Sequence, residues 1–371
     1  MRLTSIHASA LSIGFKDAFK HASAERSSTQ ALWIEARTRT GMIGFGEGCP
    51  REYVSAESMT TARSFIDAHR DEWLARITDE RTLKDWVVAN RSAIDSNPAA
   101  WTAVELALLD LLGKERGYSI DALLGLGILA GRFHYTAVLG DSSAESFGLH
   151  LERYVKLGFV NFKIKLSGNL DRDAAKVRAL EERGVAGHAV RADANNLWQD
   201  PETAAAHIDA LRFRFLALEE PLRCADYSGL AWLARRLQTR IILDESFLRE
   251  QQLDQFADQR DFWIVNLRVS KMGGLLRSLT LLQSLRKRGL GLIVGAHVGE
   301  TSVLTRAALT VANCARDVLV AQEGAFGTYL LEADVARPPL MFGRGGVLDI
   351  GAFGIAEKPG LGLDVSSRLS A

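Results

Sequence analysis

FKIK at residues 162–165 is followed by HAVRADAN (188–195), FLALEEP (215–221) and RIILDES (240–246), and the reading of these four segments decides the fold. Each is a short apolar run that ends in charge. The acids closing the last three are Asp193, Glu219 and Asp244, spaced by 26 residues (193 to 219) and 25 residues (219 to 244). That interval is about one strand-plus-helix unit. Comparable runs lie at 134–139, 160–166, 188–192, 215–218, 241–243, 263–267, 291–294 and 318–321, with amphipathic stretches such as 174–182 and 202–211 between them. Eight such runs predict a parallel α/β barrel, (β/α)7β and TIM-barrel-like, over residues 132–342. A doubly wound open sheet is the competing arrangement, but no glycine-rich phosphate loop follows the early strands.

Residues 1–131 follow a different pattern. Stretches 3–15 and 30–40 alternate as strands, with Gly41 and the glycine-rich 44–48 punctuating a hairpin. Stretches 56–74, 83–91 and 98–113 carry apolar residues at helical spacing, and Pro98 sits at a helix start with Asn97 as its cap. Strands followed by helices predict an α+β domain. The segment 343–371, glycine-rich and irregular as far as 365, is expected to run back from the barrel onto that domain.

Composition narrows the class. A chain of 371 residues with 47% hydrophobic and 24% charged residues fits a globular enzyme of a barrel plus an appended domain. Lys plus Arg and Asp plus Glu are equal at 45 each, which gives no electrostatic reason for a nucleic-acid or anionic-lipid partner. The opening MRLTSIHASALSIGFK lacks the pattern of a secretion signal, and no apolar run approaches the roughly 20 residues of a spanning helix. Cys49, Cys224 and Cys314 are scattered and odd in number, which reads as reduced thiols in a cytoplasmic protein.

In a parallel barrel the C-terminal ends of neighbouring strands share one rim, so Asp193, Glu219 and Asp244 converge there. Like charges brought together need a cation. Oxygen ligands without His or Cys select a hard ion, Mg²⁺, with Mn²⁺ as a substitute. Three separate helix-capping acids would be the plainer reading, but all three are in phase with the barrel repeat. One strand earlier, alternation aims Lys163 and Lys165 to the same side, into the barrel. Two inward lysines are costly unless they face carboxylates or a polar site. An ammonium beside a metal and another cation gives up its proton more readily, so a lysine there suits a base.

These residues resemble a family. Lys-x-Lys on the second barrel strand, Asp-Ala-Asn on the third, Glu-x-Pro on the fourth and Asp-Glu-Ser on the fifth are similar to the enolase superfamily, nearest its mandelate racemase and muconate lactonizing branches. GFGEGCPREYVSAES (44–58) and AAWTAVELALLDLLGK (99–114) resemble that superfamily's capping domain, so the likeness covers nearly the whole chain. It implies that Asp193, Glu219 and Asp244 bind Mg²⁺ and that the ion holds the substrate carboxylate. It further implies Lys165 as base and Lys163 as electrostatic helper. The α-proton of a carboxylate is too weakly acidic for a lysine unaided, so metal and lysine charge must stabilise the enolate as it forms.

One position departs from the resemblance. The muconate lactonizing branch has a lysine at the end of the sixth strand, where NLRVSKMGG (266–274) places Arg268, with Lys271 three residues on. An arginine stays protonated, so its expected task is to stabilise the enolate or clamp a second carboxylate. VGAHVGET (294–301) puts His297 and Glu300 at the rim, His297 as a candidate acid or base on the opposite face. Glu323, after the eighth strand, is expected to bond the substrate carboxylate. Arg26 and Tyr53 belong to the loops near 19–26 and 47–53 that would set substrate choice. The dipeptide-specialised branch carries Asp-x-Asp on strand eight, and Gly324 to Thr328 reads GAFGT instead, which disfavours dipeptides.

The expected activity is α-proton abstraction from a small carboxylate, as an isomerase (racemase, epimerase or cycloisomerase). The alternatives are a lyase sharing the first step and a non-catalytic carboxylate- or metal-binding barrel. A homo-oligomer is expected.

Overall fold

The computed structural model describes residues 1–21, 24–256 and 260–366, the side chains of 17–26 lying outside that description. The N-terminal strands are β1 (Leu3–Leu11), β2 (Gly14–His21), β3 (Ala24–Ser28), β4 (Ala31–Thr38) and β5 (Ile43–Gly48). An antiparallel sheet runs β1-β4-β5, and β2 pairs with β3 as a separate hairpin. The stretch 3–15 is thus two strands. The break is held by Thr29, whose Oγ1 accepts from Ile13 N at 2.9 Å and donates to Leu11 O at 2.8 Å.

The glycine-rich stretch expected to punctuate a hairpin is itself strand β5. The reason is tertiary. The helix Pro98–Arg116 lies so close across β5 that a Cβ on Gly44, Gly46 or Gly48 would overlap the carbonyl oxygens of Ala107, Ala103 and Ala99 respectively. Two strand residues advance about 6.8 Å and four helix residues about 6 Å, so glycines at every second position stay in step with alanines at every fourth. This helix is buried from Pro98 through Gly113, which is why its sequence is apolar on all sides.

Asn97 does not cap that helix. Its Nδ2 donates back to Ala93 O, and the orphan amides of Ala99 and Ala100 are taken by the Glu57 carboxylate at 2.7 and 2.8 Å. The same device joins this domain to two helices of the barrel. Glu105 accepts from Leu276 N at 3.0 Å, at the start of the helix Leu275–Arg288. Glu47 accepts from Thr301 N and Oγ1 and from Leu304 N, at the start of the helix Ser302–Cys314.

After the short β6 (Arg132–His134), eight parallel strands follow: β7 (Ala137–Leu139), β8 (Phe162–Lys165), β9 (Val190–Asp193), β10 (Ala217–Glu219), β11 (Arg240–Leu243), β12 (Trp263–Leu267), β13 (Gly291–Val294) and β14 (Leu319–Gln322). They hydrogen-bond in sequence order, and the sheet curls until its edges meet. Tyr135, just before β7, bridges Gln322 in parallel, and Thr136 N donates to Gln322 O at 2.9 Å. This is the expected α/β barrel under an α+β cap. Helices follow most strands, but a 3₁₀ turn, Glu250–Phe256, replaces the helix after β11, and the chain beyond β14 is irregular. Within the final segment, β15 (Val347–Asp349) pairs antiparallel with β6. Leu361 N then donates to Asp110 in the long cap helix at 2.8 Å, so the segment touches both domains. No helix among the described residues is long and apolar enough to cross a membrane.

Candidate active site

Strand β8 is four residues, Phe-Lys-Ile-Lys, all buried. Alternation sends Phe162 and Ile164 outward to the helices and both lysines inward. Register then aligns the acids. Lys165 stands opposite Asp193, and Asp193 opposite Glu219, while Glu219 pairs with Ile242 so that Asp244 lies two residues further along its strand. The predicted residues do converge.

Lys163 is enclosed by acids. Its Nζ lies 2.8 Å from Glu219, 3.1 Å from Asp193 and 3.3 Å from Glu323. Burial opposes its charge, but these three carboxylates prevail and raise its pKa well above the ordinary lysine value. Lys163 is a fixed cation. Lys165 Nζ donates to Asp193 Oδ2 at 2.6 Å and to Asn195 Oδ1 at 2.7 Å. Its backbone is pinned from below, since Lys176 Nζ donates to Lys165 O at 2.7 Å while pairing with Asp173 at 3.0 Å.

Asp244 is held by two cations, the Arg268 guanidinium on Oδ2 and Lys271 Nζ on Oδ1 at 2.8 Å. Arg268 Nη1 stands 3.2 Å from His297 Nδ1. A guanidinium can only donate, so Nδ1 accepts and the proton of a neutral His297 sits on Nε2. Lys271 also donates to the Asp244 and Asn266 carbonyls, which places it behind Asp244 and away from the cavity.

The carboxylates titrate unequally. Burial pushes Glu219 up to about 8, eased by Lys163 but reinforced by Asp193, Glu323 and Asp244. Asp193 is equally buried, yet Lys165 and Lys163 outweigh that and hold it well below the usual carboxylate range. Asp244 is likewise lowered, with Arg268 and then Lys271 overcoming burial. Glu323 is lowered by Lys163 and Arg191 against burial. Burial raises Glu300 to about 8, and its Oε1 accepts from His297 N at 2.7 Å.

As they stand, no three acidic, histidine or cysteine side chains among the described residues close tightly enough to hold an ion. Lysine and arginine heads keep the acids apart. The donor set nonetheless fits a hard divalent cation: carboxylates from three adjacent strands with no His or Cys among them. Glu219 Oε2 supports the fit. It is buried and lies 2.8 Å from the Lys163 ammonium, yet receives no hydrogen bond, while Oε1 accepts from that ammonium at 2.8 Å.

A cavity of about 520 Å³ opens over this layer. Lys163, Lys165, Arg268, His297, Glu300, Glu323 and Tyr53 all line it, and Asp193, Glu219 and Asp244 lie outside that lining. The Arg26 side chain falls outside the described residues. Sequence reasoning missed Asn195, Asn266 and Arg191. Asn266 Nδ2 donates to Glu219 Oε1 at 3.1 Å, and Arg191 clamps Glu323 Oε1 at 2.8 Å. The signal was present, since Arg191 and Asn266 each sit two positions before a singled-out residue and so face the same way. Glu220, the other acid of FLALEEP, turns away at φ 40° and accepts from Asp244 N and Ser246 N, bracing the next strand end.

The family described as Mandelate racemase / muconate lactonizing enzyme, N-terminal domain, matches residues 13–125, and Enolase C-terminal domain-like matches residues 147–369. The chain is 25% identical over 319 residues to the hydrophobic dipeptide epimerase of Enterococcus faecalis, covering 86% of this chain and 89% of that one. It is 24% identical over 379 residues to the N-succinyl-L-Arg/Lys racemase of Bacillus cereus, covering 99% and 96%. The structure of a dipeptide epimerase from Methylococcus capsulatus, complexed with Mg and L-Arg-D-Lys, superposes with a TM-score of 0.83 at 25% identity, over 99% of this chain and 100% of that one. These relatives are racemases and epimerases, so the isomerase reading stands and the lyase and non-catalytic alternatives are not favoured. By its sequence over both domains, the chain belongs to the enolase superfamily, in its mandelate racemase / muconate lactonizing enzyme branch.

Proposed function

We propose that the protein is a Mg²⁺-dependent racemase or epimerase of N-acylated amino acids, with Lys165 taking the α-proton. The observation that carries this reading is the division of the two lysines. Both lysines line the cavity, but Lys163 is locked as a cation among Glu219, Asp193 and Glu323, while Lys165 has Asp193 and Asn195 as its side-chain partners among the described residues. One supplies charge and the other is placed to move a proton. Asp193, Glu219 and Asp244 would hold the ion. When bound, the ion supplies the positive charge that makes an α-proton beside a carboxylate removable.

Tyr53 and Glu300 are the proposed donors to the substrate carboxylate, Glu300 because its raised pKa leaves it protonated at neutral pH. Arg26, on β3, keeps its proposed part in substrate choice. Arg268 holds Asp244 and fixes the tautomer of His297, which presents Nε2–H as the proposed donor on the opposite face. An acylated nitrogen is favoured over a free amine by the rim of β14. Both Glu323 oxygens are engaged by Lys163 and Arg191, and Gly324, Ala325 and Phe326 beyond it carry no carboxylate to receive an ammonium. We assign the chemistry to residues 132–342 and the cap to 1–131, and propose that the segment 343–371 returns to the cap. We propose a cytoplasmic homo-oligomer acting on small molecules rather than nucleic acid.

The test is proton NMR of N-acyl amino acids in D₂O with Mg²⁺. Loss of the α-proton signal without loss of substrate, abolished by EDTA, is expected. Exchange that is indifferent to EDTA, or the appearance of vinyl or keto signals, would overturn the assignment.

A further inference from the structure

The cavity is larger than proton abstraction needs. A carboxylate and its α-carbon fill a small part of about 520 Å³, a size that takes a whole drug-like molecule. The surplus runs away from the lysines, between the helix Ala144–Leu157 and the irregular chain beyond β14. Ser143, Ser146, His150, Arg153 and Leu157 line it from the helix side. Their spacing of three, four, three and four residues is one helical stripe, so a single helix face is turned to the ligand space. Opposite stand Phe326, Tyr329, Leu330 and Phe342. The aromatic wall is rigid, with Tyr329 stacked on Phe342 at 5.3 Å and 17°.

Of the acids that line the cavity, Asp141 and Glu323 are already engaged by cations. Asp141 is already neutralised by Arg172 and Lys176, each at 2.8 Å. Glu323 is taken by Lys163 and Arg191. Among the described residues Arg153 has no carboxylate partner, and its guanidinium rests 5.8 Å over the Tyr329 ring. That contact orients the group and leaves its hydrogen-bonding edge unused.

We infer that Arg153 is a specificity-determining residue that binds a second carboxylate at the distal end of the substrate, across an apolar span from the reacting carbon. The inference rests on the racemase reading and names its substrate class: amino-acid derivatives with a distal acid, carried either on the N-acyl arm or on the side chain. A guanidinium meets a carboxylate with two parallel N–H donors, which an amide of the same shape cannot match in charge.

Two isosteric pairs test this in the Mg²⁺-loaded full chain: N-succinyl-L-alanine against N-succinamoyl-L-alanine, and N-acetyl-L-glutamate against N-acetyl-L-glutamine. The acid of at least one pair should be preferred roughly ten-fold in kcat/KM, mainly through KM. The preferred pair reveals which arm carries the acid. Arg153→Gln, an exposed position that should not disturb folding, should bring the ratio towards one, and Arg153→Lys should restore part of it. Equal rates within both pairs, or a preference that survives Arg153→Gln, overturn the inference while the racemase reading stands. If none of the four acids exchanges its α-proton, the racemase reading falls instead. Calorimetric titration with the succinyl pair then decides the subsite, with tighter binding of the acid that is lost in Arg153→Gln supporting it and equal affinities refuting it.

Discussion

Replacing Lys165 by alanine separates proton transfer from metal binding. Its Nζ donates to Asp193 Oδ2 at 2.6 Å and to Asn195 Oδ1 at 2.7 Å, and it faces the cavity. General-base catalysis contributes a factor of about 10²–10⁴, which is about 2.7–5.5 kcal/mol of barrier. The same change removes a cation from beside a proposed metal ligand. Unit charges about 4 Å apart at an effective permittivity of about 20 interact by about 4 kcal/mol, so Mg²⁺ should bind Lys165→Ala at least as tightly as the parent. Lys163, 3.1 Å from Asp193, still favours its ionised form. The assays are α-proton exchange of each enantiomer by NMR and Mg²⁺ titration by calorimetry, with circular dichroism to confirm folding. Racemisation should stop in both directions, and at least one enantiomer should lose exchange by the stated factor. Both enantiomers exchanging at the parent rate would refute Lys165 as base. A loss of Mg²⁺ affinity would show instead that the lysine supports the metal site.

Glu219→Gln should abolish Mg²⁺ binding and exchange together while the protein still folds, read by calorimetry and NMR; Mg²⁺ affinity retained in the variant would exclude Glu219 as a ligand. His297→Asn should stop racemisation in both directions yet leave Lys165 exchanging the α-proton of one enantiomer with deuterium. Unimpaired turnover of both enantiomers would remove His297 from the mechanism and point to a single base. Stability should fall as pH rises from 6 to 8. Burial raises Glu47, Glu57 and Glu105 from 4.5 to about 7, against their amide hydrogen bonds, so their protonation favours the folded state below the unfolded value, and that contribution disappears as pH passes about 7. At the acid end the sign reverses. Asp173 is held at about 2 despite burial by His207, Lys176 and Ser167, so its contribution is present above about 4 and lost towards pH 2. Thermal midpoints across pH 2–9 check both limbs, and Glu57→Gln should flatten the alkaline one; a midpoint constant from pH 6 to 8 would contradict the assignment.

Much of this was legible in one dimension. The barrel runs were visible because parallel strands, buried on both faces, must be short and apolar. The site was visible because a strand repeats every second residue, so Lys163 and Lys165 had to share a face, and because the spacing of Asp193, Glu219 and Asp244 matches one barrel unit. What periodicity cannot show is contact between segments remote in sequence. The cap of the helix Pro98–Arg116 was assigned to neighbouring Asn97, but the acceptor is Glu57, some 40 residues upstream. Gly44, Gly46 and Gly48 looked like a turn because glycine is read locally as flexibility, whereas here it makes room for the carbonyls of Ala99, Ala103 and Ala107. Arg268 was seen to depart from the branch pattern, yet only folding shows that it grips Asp244 and fixes the tautomer of His297. The same holds for the far end of the cavity. Ser146, His150 and Arg153 share one helix face, and they become the wall of a ligand space because the chain after β14 forms no covering helix and brings Tyr329 and Phe342 to the same cavity. Sequence alone determined the barrel strands, their order and the row of acids and lysines, because these follow from local repeats; tertiary structure decided the strand breaks of the cap, helix capping, charge partners and the shape of the cavity, because each depends on which distant groups burial forces together.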